Sequence, residues 1–181
     1  MIICGYQGIG KSTLVKNTIN TNLHVIDLES GNFWVDGERC IDWYKYYAQI
    51  AIHLSQQGNI VMMSSHKVVR DYLRDINRTE RLATIYPENT LREKWIKKLE
   101  DRYKFTKKDK DYKALMNAKS MYLDNVYDLA TQKGFDHICL RNDNYYLEGI
   151  ILQYMNLVNS FPNEGITFMT DDVSIILMEG K

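Results

Sequence analysis

The fold of this sequence is decided by the stretch Gly5-Tyr6-Gln7-Gly8-Ile9-Gly10-Lys11-Ser12. This stretch fills every position of the pattern G-x-x-x-x-G-K-S/T, a phosphate-binding loop. The apolar run at residues 1–4 predicts a buried strand before it, and residues 13–19 after it carry apolar side chains at helical spacing. A strand, a glycine-rich loop and a helix in this order form the context in which the motif binds phosphate. We therefore expect a nucleoside triphosphate to bind at this loop.

The residue types of the loop suit a triphosphate. Gly8 and Gly10 allow backbone N–H groups to surround a phosphate with no Cβ in the way. The following helix adds its free N–H groups and the positive end of its dipole. We expect Lys11 to contact the β- and γ-phosphates and Ser12 to bind Mg²⁺, the alternative being a glycine-rich turn that binds no ligand. The predicted contacts of ATP and Mg²⁺ in this segment are Gly5, Gly8, Ile9, Gly10, Lys11, Ser12 and Thr13.

The composition indicates one domain of balanced charge. At 181 residues the chain can form a single substantial core, so we expect one domain over residues 1–181. The 23 Lys and Arg residues equal the 23 Asp and Glu residues, which does not favour nucleic acid or an anionic membrane as a partner. No apolar run approaches the roughly 18 residues of a transmembrane helix, and the N-terminal strand leaves no room for a signal peptide. Three scattered cysteines indicate a reducing compartment, so we expect a cytoplasmic protein. The sequence leaves open whether it is a monomer or a dimer.

Strands and helices alternate along the rest of the chain. Further apolar runs predict strands at residues 23–26, 59–63, 82–86 and 137–140, with helical periodicity between them. This alternation predicts an α/β fold in which a parallel sheet of five strands lies between two layers of helices. Ligands of such sheets bind at the carboxyl ends of the strands. Residues 166–181 predict one more element, and the sequence leaves open whether it is a strand or a helix.

Polar residues follow the second and third predicted strands. Asp27, directly after the second strand, is expected to orient an acceptor group or to hold Mg²⁺ through water, the alternative being a carboxylate that caps the next turn. The third strand ends without an aspartate, which leaves Asp27 and Glu29 as the acidic groups of the site. The cations after the third strand suit the phosphate of an acceptor nucleotide, unless they form only structural hydrogen bonds and surface ion pairs. The predicted acceptor contacts are Asp27, Trp34, His66, Lys67 and Arg70, with Trp34 either stacking on a base or packing in the core.

The order of elements and motifs resembles the small P-loop kinases of the nucleoside monophosphate kinase group. Residues 64–74, Ser-Ser-His-Lys-Val-Val-Arg-Asp-Tyr-Leu-Arg, resemble the matching segment of gluconate kinases. The G-H-F-M-P signature of gluconate kinases does not occur here, which does not favour gluconate as the acceptor. The whole chain also resembles uncharacterised P-loop proteins encoded by phages and prophages of Gram-positive bacteria.

The resemblance implies a three-layer P-loop fold with strand order 2-3-1-4-5 and a small helical lid that closes over the phosphates. The matching lid covers residues 89–113. Within it, the apolar spacing predicts a helix over about 89–103, and the lysine-rich composition of residues 104–113 predicts a solvated loop or hinge. Arg92 and Arg102 are implied to contact the migrating phosphoryl group, the alternative being an ordinary solvated helix face. Arg141, after the fifth strand, is implied to approach the adenine, although it also fits a polar turn.

These features predict a kinase that transfers a phosphate from ATP to a small acceptor, with a nucleoside or deoxynucleoside monophosphate as that acceptor. Two other functions stay open. One is a P-loop ATPase or a regulatory nucleotide-binding module, and the other is a kinase of polynucleotide ends, which the lysines of residues 104–113 would suit. The residues predicted to be catalytic are Lys11, Asp27, Arg92 and Arg102.

Overall fold

The chain begins as its sequence predicts, with strand β1 (Ile2–Gly5), a glycine-rich loop over residues 6–10 and helix α1 (Lys11–Thr18). The computed structural model describes residues 1–19, 21–36, 38–170 and 176–178. The other strands of this part of the chain are β2 (Val25–Asp27), β3 (Trp34–Val35), β4 (Glu38–Arg39), β5 (Ile60–Ser64), β6 (Leu82–Pro87), β7 (Asp136–Leu140), β8 (Gly165–Met169) and β9 (Ile176–Met178). Its other helices are α2 (Trp43–Gln56), α3 (Lys67–Ile76), α4 (Arg92–Thr106), α5 (Asp109–Ala130) and α6 (Leu147–Ser160), with short 3₁₀ helices at Ser30–Phe33 and Asn89–Leu91.

Seven of the described strands form one sheet, in the order β2-β5-β1-β6-β7-β8-β9. The strands from β2 to β8 in this order run parallel, and β9 pairs antiparallel with β8 at the edge. The glycine-rich loop leaves the sheet at the carboxyl end of β1, which lies between β5 and β6. Strands β3 and β4 form a separate antiparallel hairpin. The loop is therefore flanked on both sides by the carboxyl ends of neighbouring strands.

The predicted strand count and the predicted order are wrong for the sheet as a whole. The five predicted strands correspond to β1, β2, β5, β6 and β7 and occur in the arrangement 2-3-1-4-5, but β8 and β9 extend the sheet beyond β7. In β8, Ile166 and Phe168 are buried, so this strand covers an edge of β7 that would otherwise expose unpaired backbone groups. For residues 166–181 the sequence left open whether a strand or a helix forms, and the described part of this segment forms strands. Residues 171–175 and 179–181 lie outside the described residues.

Helices cover both faces of the sheet, as the alternation of elements predicts. Successive residues of a strand point to opposite faces. Ile3 accordingly packs in a core formed with α4, α5 and α6, whereas Ile2 and Cys4 pack in a core formed with α2 and α3. Within the described ranges, none of the helices has the length and apolar character needed to cross a membrane.

The connection between α4 and α5 is shorter than predicted. Residues 104–113 were expected to form a solvated loop or hinge, but α4 continues to Thr106 and α5 begins at Asp109, so the predicted length of this connection is wrong. Lysine is a good helix former, and Lys113 pairs with Asp109 one turn earlier at 3.1 Å. Thr106 Oγ1 also donates a hydrogen bond to Asp111 Oδ2 at 2.6 Å across the corner. The predicted lid region is thus a helical corner, and its mobility stays a prediction.

Candidate functional site

The two glycines of the glycine-rich loop, Gly8 and Gly10, have different surroundings. Gly8 and Gly10 have φ angles of 83° and 95°, in the left-handed region that favours glycine. A Cβ on Gly10 would meet no atom within 4 Å, so this position opens onto free space. A Cβ on Gly8 would lie 2.9 Å from Leu99 Cδ2, so this glycine lets α4 pack directly on the loop. The loop is consequently open on one side and covered by a helix on the other.

Three side-chain hydrogen bonds join the loop to other elements. Trp95 Nε1 on α4 donates a hydrogen bond to the Gln7 carbonyl at 2.9 Å, and Gln7 Nε2 donates to the Ala114 carbonyl on α5 at 2.9 Å. Tyr145 OH, just before α6, donates to the Ile9 carbonyl at 3.1 Å. Because the loop is fixed before a ligand arrives, binding a phosphate would cost little further ordering.

A cavity of about 550 Å³ lies against the open side of the loop. Its walls combine the carboxyl ends of β1, β2 and β5 with the start of α6 and the corner of α4 and α5. This is the place where parallel sheets bind ligands. The predicted nucleotide contacts from Gly8 to Thr13 all line the cavity. Gly5 does not line it; it is the last residue of β1 and packs against the side chain of Ile9. The remaining charged lining residues are Asp27, Glu29, Lys98, Arg102, Lys110, Asp111 and Glu148.

Lys11, Ser12 and Asp27 meet in this cavity. Ser12 Oγ donates a hydrogen bond to Asp27 Oδ2 at 2.7 Å. The other carboxylate oxygen, Asp27 Oδ1, is buried without a hydrogen-bond partner in the described structure. Lys11 Nζ likewise forms no ion pair or hydrogen bond with a described residue; burial lowers the pKa of its ammonium group, and Asp27 and Glu29 oppose that effect. An anion would relieve the desolvated ammonium, and a cation would satisfy the free carboxylate oxygen.

The donor groups beside the loop fit Mg²⁺ better than a metal held by protein alone. Among the described residues, no three His, Cys, Asp or Glu side chains form a group that could hold a metal ion. Mg²⁺ is usually bound by one or two carboxylates together with phosphate oxygens and water. Ser12 and Asp27, already joined by a hydrogen bond, supply a hydroxyl and one carboxylate, which matches that pattern.

Of the two arginines predicted to contact the phosphates, only Arg102 reaches the cavity. Arg102 lines it, together with Lys98 and Lys110. Arg92 does not; its guanidinium donates hydrogen bonds to Glu93 and, at 3.2 Å, to the Lys119 carbonyl. Arg92 is the first residue of α4, whereas Arg102 lies almost three turns later. The structure therefore places Arg102, and not Arg92, where it could contact a ligand in the cavity.

Arg70 and Lys67 do not form the predicted phosphate site. Arg70 is completely buried and donates hydrogen bonds to the Ser65 carbonyl, to Asp128 and, at 3.0 Å, to Gln132 Oε1. Lys67 is exposed and pairs with Asp71 at 3.0 Å. Since Arg70 lies on the inward face of α3, beside the buried Val69, its charge is used to join α3 to α5. The predicted substrate contacts at these two residues are corrected to structural ones.

Arg70→Ala is accordingly expected to lower the free energy of unfolding by about 3 kcal/mol, because the variant removes the buried cation that pairs with Asp128 and leaves a cavity beneath α3. Only the exposed Lys67, whose Nζ lies 3.7 Å from Asp128 Oδ1, then remains beside that carboxylate in the described structure. This expected loss of unfolding free energy lies at the low end of the range for a broken buried ion pair, because the Asp128 side chain is 35% exposed. Urea denaturation measures the loss. The matched control is Arg74→Ala on the exposed side of the same helix, with an expected change below about 1 kcal/mol. Unchanged stability in Arg70→Ala together with weaker acceptor binding would restore the substrate role.

Neither His66 nor Trp34 lines the cavity, but both contact Arg39, an arginine that the sequence analysis missed. His66 Nε2 lies 3.3 Å from Ser30 Oγ and 3.3 Å from Arg39 Nη2. Burial, followed by Arg39 and Arg70, lowers the pKa of His66 to about 4, so the ring is neutral near pH 7 and cannot supply the predicted positive charge. Trp34 is 49% exposed, and Arg39 Cζ lies 5.4 Å from its ring centre.

Arg39 is a partly buried arginine that has no acidic partner in the described structure. Its Cζ lies 3.8 Å from the ring centre of Trp43, and its Nε is buried without a hydrogen-bond partner. Burial lowers the pKa of this guanidinium. The hairpin that carries it pairs Trp34 with Arg39, and the sequence between its two strands reads Asp36-Gly37, a dipeptide typical of two-residue hairpin loops. That dipeptide was the signal in the sequence that could have indicated the hairpin.

Arg141 does not reach the cavity as the resemblance implied. Arg141 Nε lies 3.6 Å from Glu88 Oε1. The cavity is lined by Tyr145 and Tyr146 instead, and Tyr146 is 84% exposed. Aromatic side chains that follow β7, and not Arg141, therefore border the cavity.

Comparisons with known proteins leave the function to be argued from this geometry. No protein-family model matches the chain, and no curated protein matches it significantly.

Proposed function

We propose that this chain is an ATP-dependent phosphotransferase that acts on a small acceptor, a nucleoside or deoxynucleoside monophosphate. The observation that carries the proposal is the convergence of Lys11, the Ser12–Asp27 pair and Arg102 on one cavity. Phosphoryl transfer needs a cradle for the triphosphate, cations around the migrating group and a positioned acceptor. A bare phosphate-binding turn would need only the first of these.

In the proposed reaction, the bond between the γ-phosphorus and the oxygen of ADP breaks, and a bond forms between that phosphorus and an oxygen of the acceptor. The N–H groups of the loop and Lys11 bind the phosphates, and Arg102 stabilises the charge that spreads over the migrating group. Ser12 and Asp27 would hold Mg²⁺, which neutralises phosphate charge when bound. The helices α4 and α5 cover the loop and exclude water from it. Tyr146, rather than Arg141, offers a face on which the base of the donor nucleotide can stack.

The acceptor class is supported by Arg39 and Trp34. A partly desolvated guanidinium with no carboxylate beside it is costly, and an anionic ligand group would offset that cost. Trp34 adds an exposed aromatic face next to this charge, which suits a planar base. Ser30 connects the two regions, because it lines the cavity and its hydroxyl contacts His66. A compound with both a phosphate and a base satisfies both groups.

Arg39→Ala is expected to raise the KM of the acceptor about 10- to 100-fold, since a charge-assisted hydrogen bond contributes roughly 1.5–3 kcal/mol. The stabilisation of the protein by ATP should not change. Steady-state rates at varied acceptor concentration measure the effect. The matched control is Arg78→Ala, because Arg78 is exposed and bonds only to the Asp75 and Asn77 carbonyls in the described structure. An unchanged KM in Arg39→Ala would remove this residue from the acceptor site.

The proposed function is tested by measuring ADP release with a panel of acceptors: nucleoside monophosphates, nucleosides, sugars and DNA ends, with ATP alone as the control. Release that depends on a monophosphate supports the proposal. Equal release with ATP alone would instead indicate an ATPase, and release that requires DNA ends would indicate a polynucleotide kinase.

The three cysteines are all free, which supports a reducing compartment, and we propose the cytoplasm as the place of the reaction.

A further inference from the structure

We infer that Asp111 is a positioning residue that holds Arg102 at the wall of the cavity, ready for the phosphoryl group. The inference rests on the proposed function and deepens it. The sequence alone assigns no role to this aspartate. Asp111 is 2% exposed and still lines the cavity. It lies in the first turn of α5, directly beyond the corner that follows α4.

Both oxygens of the Asp111 carboxylate are engaged. Arg102 Nη2 lies 2.7 Å from Asp111 Oδ1, and Thr106 Oγ1 donates to Asp111 Oδ2 at 2.6 Å. The carboxylate cannot rotate without losing one of these contacts, so its orientation is fixed. The contact with Arg102 therefore has a defined place beside the cavity.

Arg102 itself has few other restraints. Its side chain is 45% exposed, and it forms no other ion pair or hydrogen bond with a residue of the described ranges. A free arginine side chain has about 2 kcal/mol of rotamer entropy to lose when it is ordered. The guanidinium carries five N–H donors, and the single ion pair with Asp111 leaves donors for phosphate oxygens. Asp111 thus orders the guanidinium without exhausting it.

The turn that carries Asp111 is held at both sides of the cavity. Lys110 Nζ lies 3.5 Å from Glu29 Oε1 on the loop after β2. One turn later, the Ala114 carbonyl accepts the hydrogen bond from Gln7 of the phosphate-binding loop. The first turn of α5, which positions Arg102 through Asp111, is therefore joined both to the loop after β2 and to the glycine-rich loop.

Asp111→Asn tests the inference, because asparagine keeps the shape and can still accept the Thr106 hydrogen bond. We expect kcat to fall about 10- to 100-fold, as for a misplaced charge-stabilising group, with the KM for ATP and the thermal stabilisation by ATP nearly unchanged. The double variant with Arg102→Ala should be no slower than Arg102→Ala alone, since both changes remove the same interaction. Asp109→Asn is the matched control, because Asp109 lies in the same turn, is 81% exposed and pairs only with Lys113 in the described structure.

The outcomes separate this inference from the proposed function. A slow Arg102→Ala with a wild-type rate in Asp111→Asn, or losses that add in the double variant, would overturn the positioning role and leave the kinase proposal intact. Absence of transfer to every acceptor in the wild-type protein would remove the reaction and this role together. If Asp111→Asn folds poorly by circular dichroism, Thr106→Val replaces it. That variant removes the second tether of the carboxylate and should also lower kcat without changing the KM for ATP.

Discussion

Lys11→Ala is expected to abolish phosphoryl transfer and to remove most of the stabilisation by ATP·Mg²⁺. A ligand that binds only the folded protein stabilises it by about 2.7 kcal/mol at a concentration one hundred times Kd. For a chain of this size, that corresponds to a rise in melting temperature of roughly 5–10 °C. Lys11 lines the cavity and has no partner of its own among the described residues, so we expect a phosphate to be its partner. Thermal unfolding with and without nucleotide measures the shift.

The unliganded variant should remain folded. Burial lowers the pKa of Lys11, which means that the folded state disfavours its charged form, so removing the ammonium relieves a cost. The matched control is Lys16→Ala, an exposed lysine in the last turn of the same helix, which should shift with ATP like the wild type. An unchanged shift in Lys11→Ala would mean that the phosphates bind elsewhere.

The parts of the fold that the sequence predicts are those with a local signal. The phosphate-binding motif identifies its loop by spacing alone, and the apolar runs of β1, β5 and β6 are fully buried as such runs imply. Strand β8 carries a weaker pattern, because only Ile166 and Phe168 are buried in it. Its place in the sheet depends on pairing with β7, a contact that no local pattern encodes.

The errors at the candidate site also have a physical cause. Arg70 follows the buried Val69 and precedes the buried Leu73, so its place on the inward face of α3 could have been read from helical periodicity. Its partner Asp128 is 58 residues away, and an ion pair of that separation has no signature in the sequence. Arg39 lies in a strand of two residues, too short to show a period. Charged residues therefore require the tertiary structure to tell a ligand contact from a structural one.

Asp27→Asn is expected to lower kcat about 100-fold or more, while ATP still stabilises the protein. Asparagine can accept the Ser12 hydrogen bond in place of Asp27 Oδ2, so the local shape is kept. Asp27 Oδ1, the buried carboxylate oxygen without a hydrogen-bond partner, is replaced by an amide NH₂ group or by a neutral amide oxygen. Neither can bind a cation as the carboxylate would, so the variant should also require more Mg²⁺ to reach its maximal rate. Initial rates at varied Mg²⁺ concentration measure both effects.

Glu29→Gln decides whether the effect belongs to Asp27 or to acidic charge near the loop in general. Glu29 lines the same cavity, but its carboxylate pairs with Lys110 at 3.5 Å, so it is not free to hold a metal ion. We expect Glu29→Gln to lower kcat less than tenfold, since an exposed ion pair contributes about 1 kcal/mol or less. A larger loss in Glu29→Gln than in Asp27→Asn would exchange the two roles. A wild-type rate in Asp27→Asn would reduce Asp27 to a residue of the turn, because a carboxylate that holds Mg²⁺ beside the migrating phosphate cannot be replaced by an amide without a cost in rate.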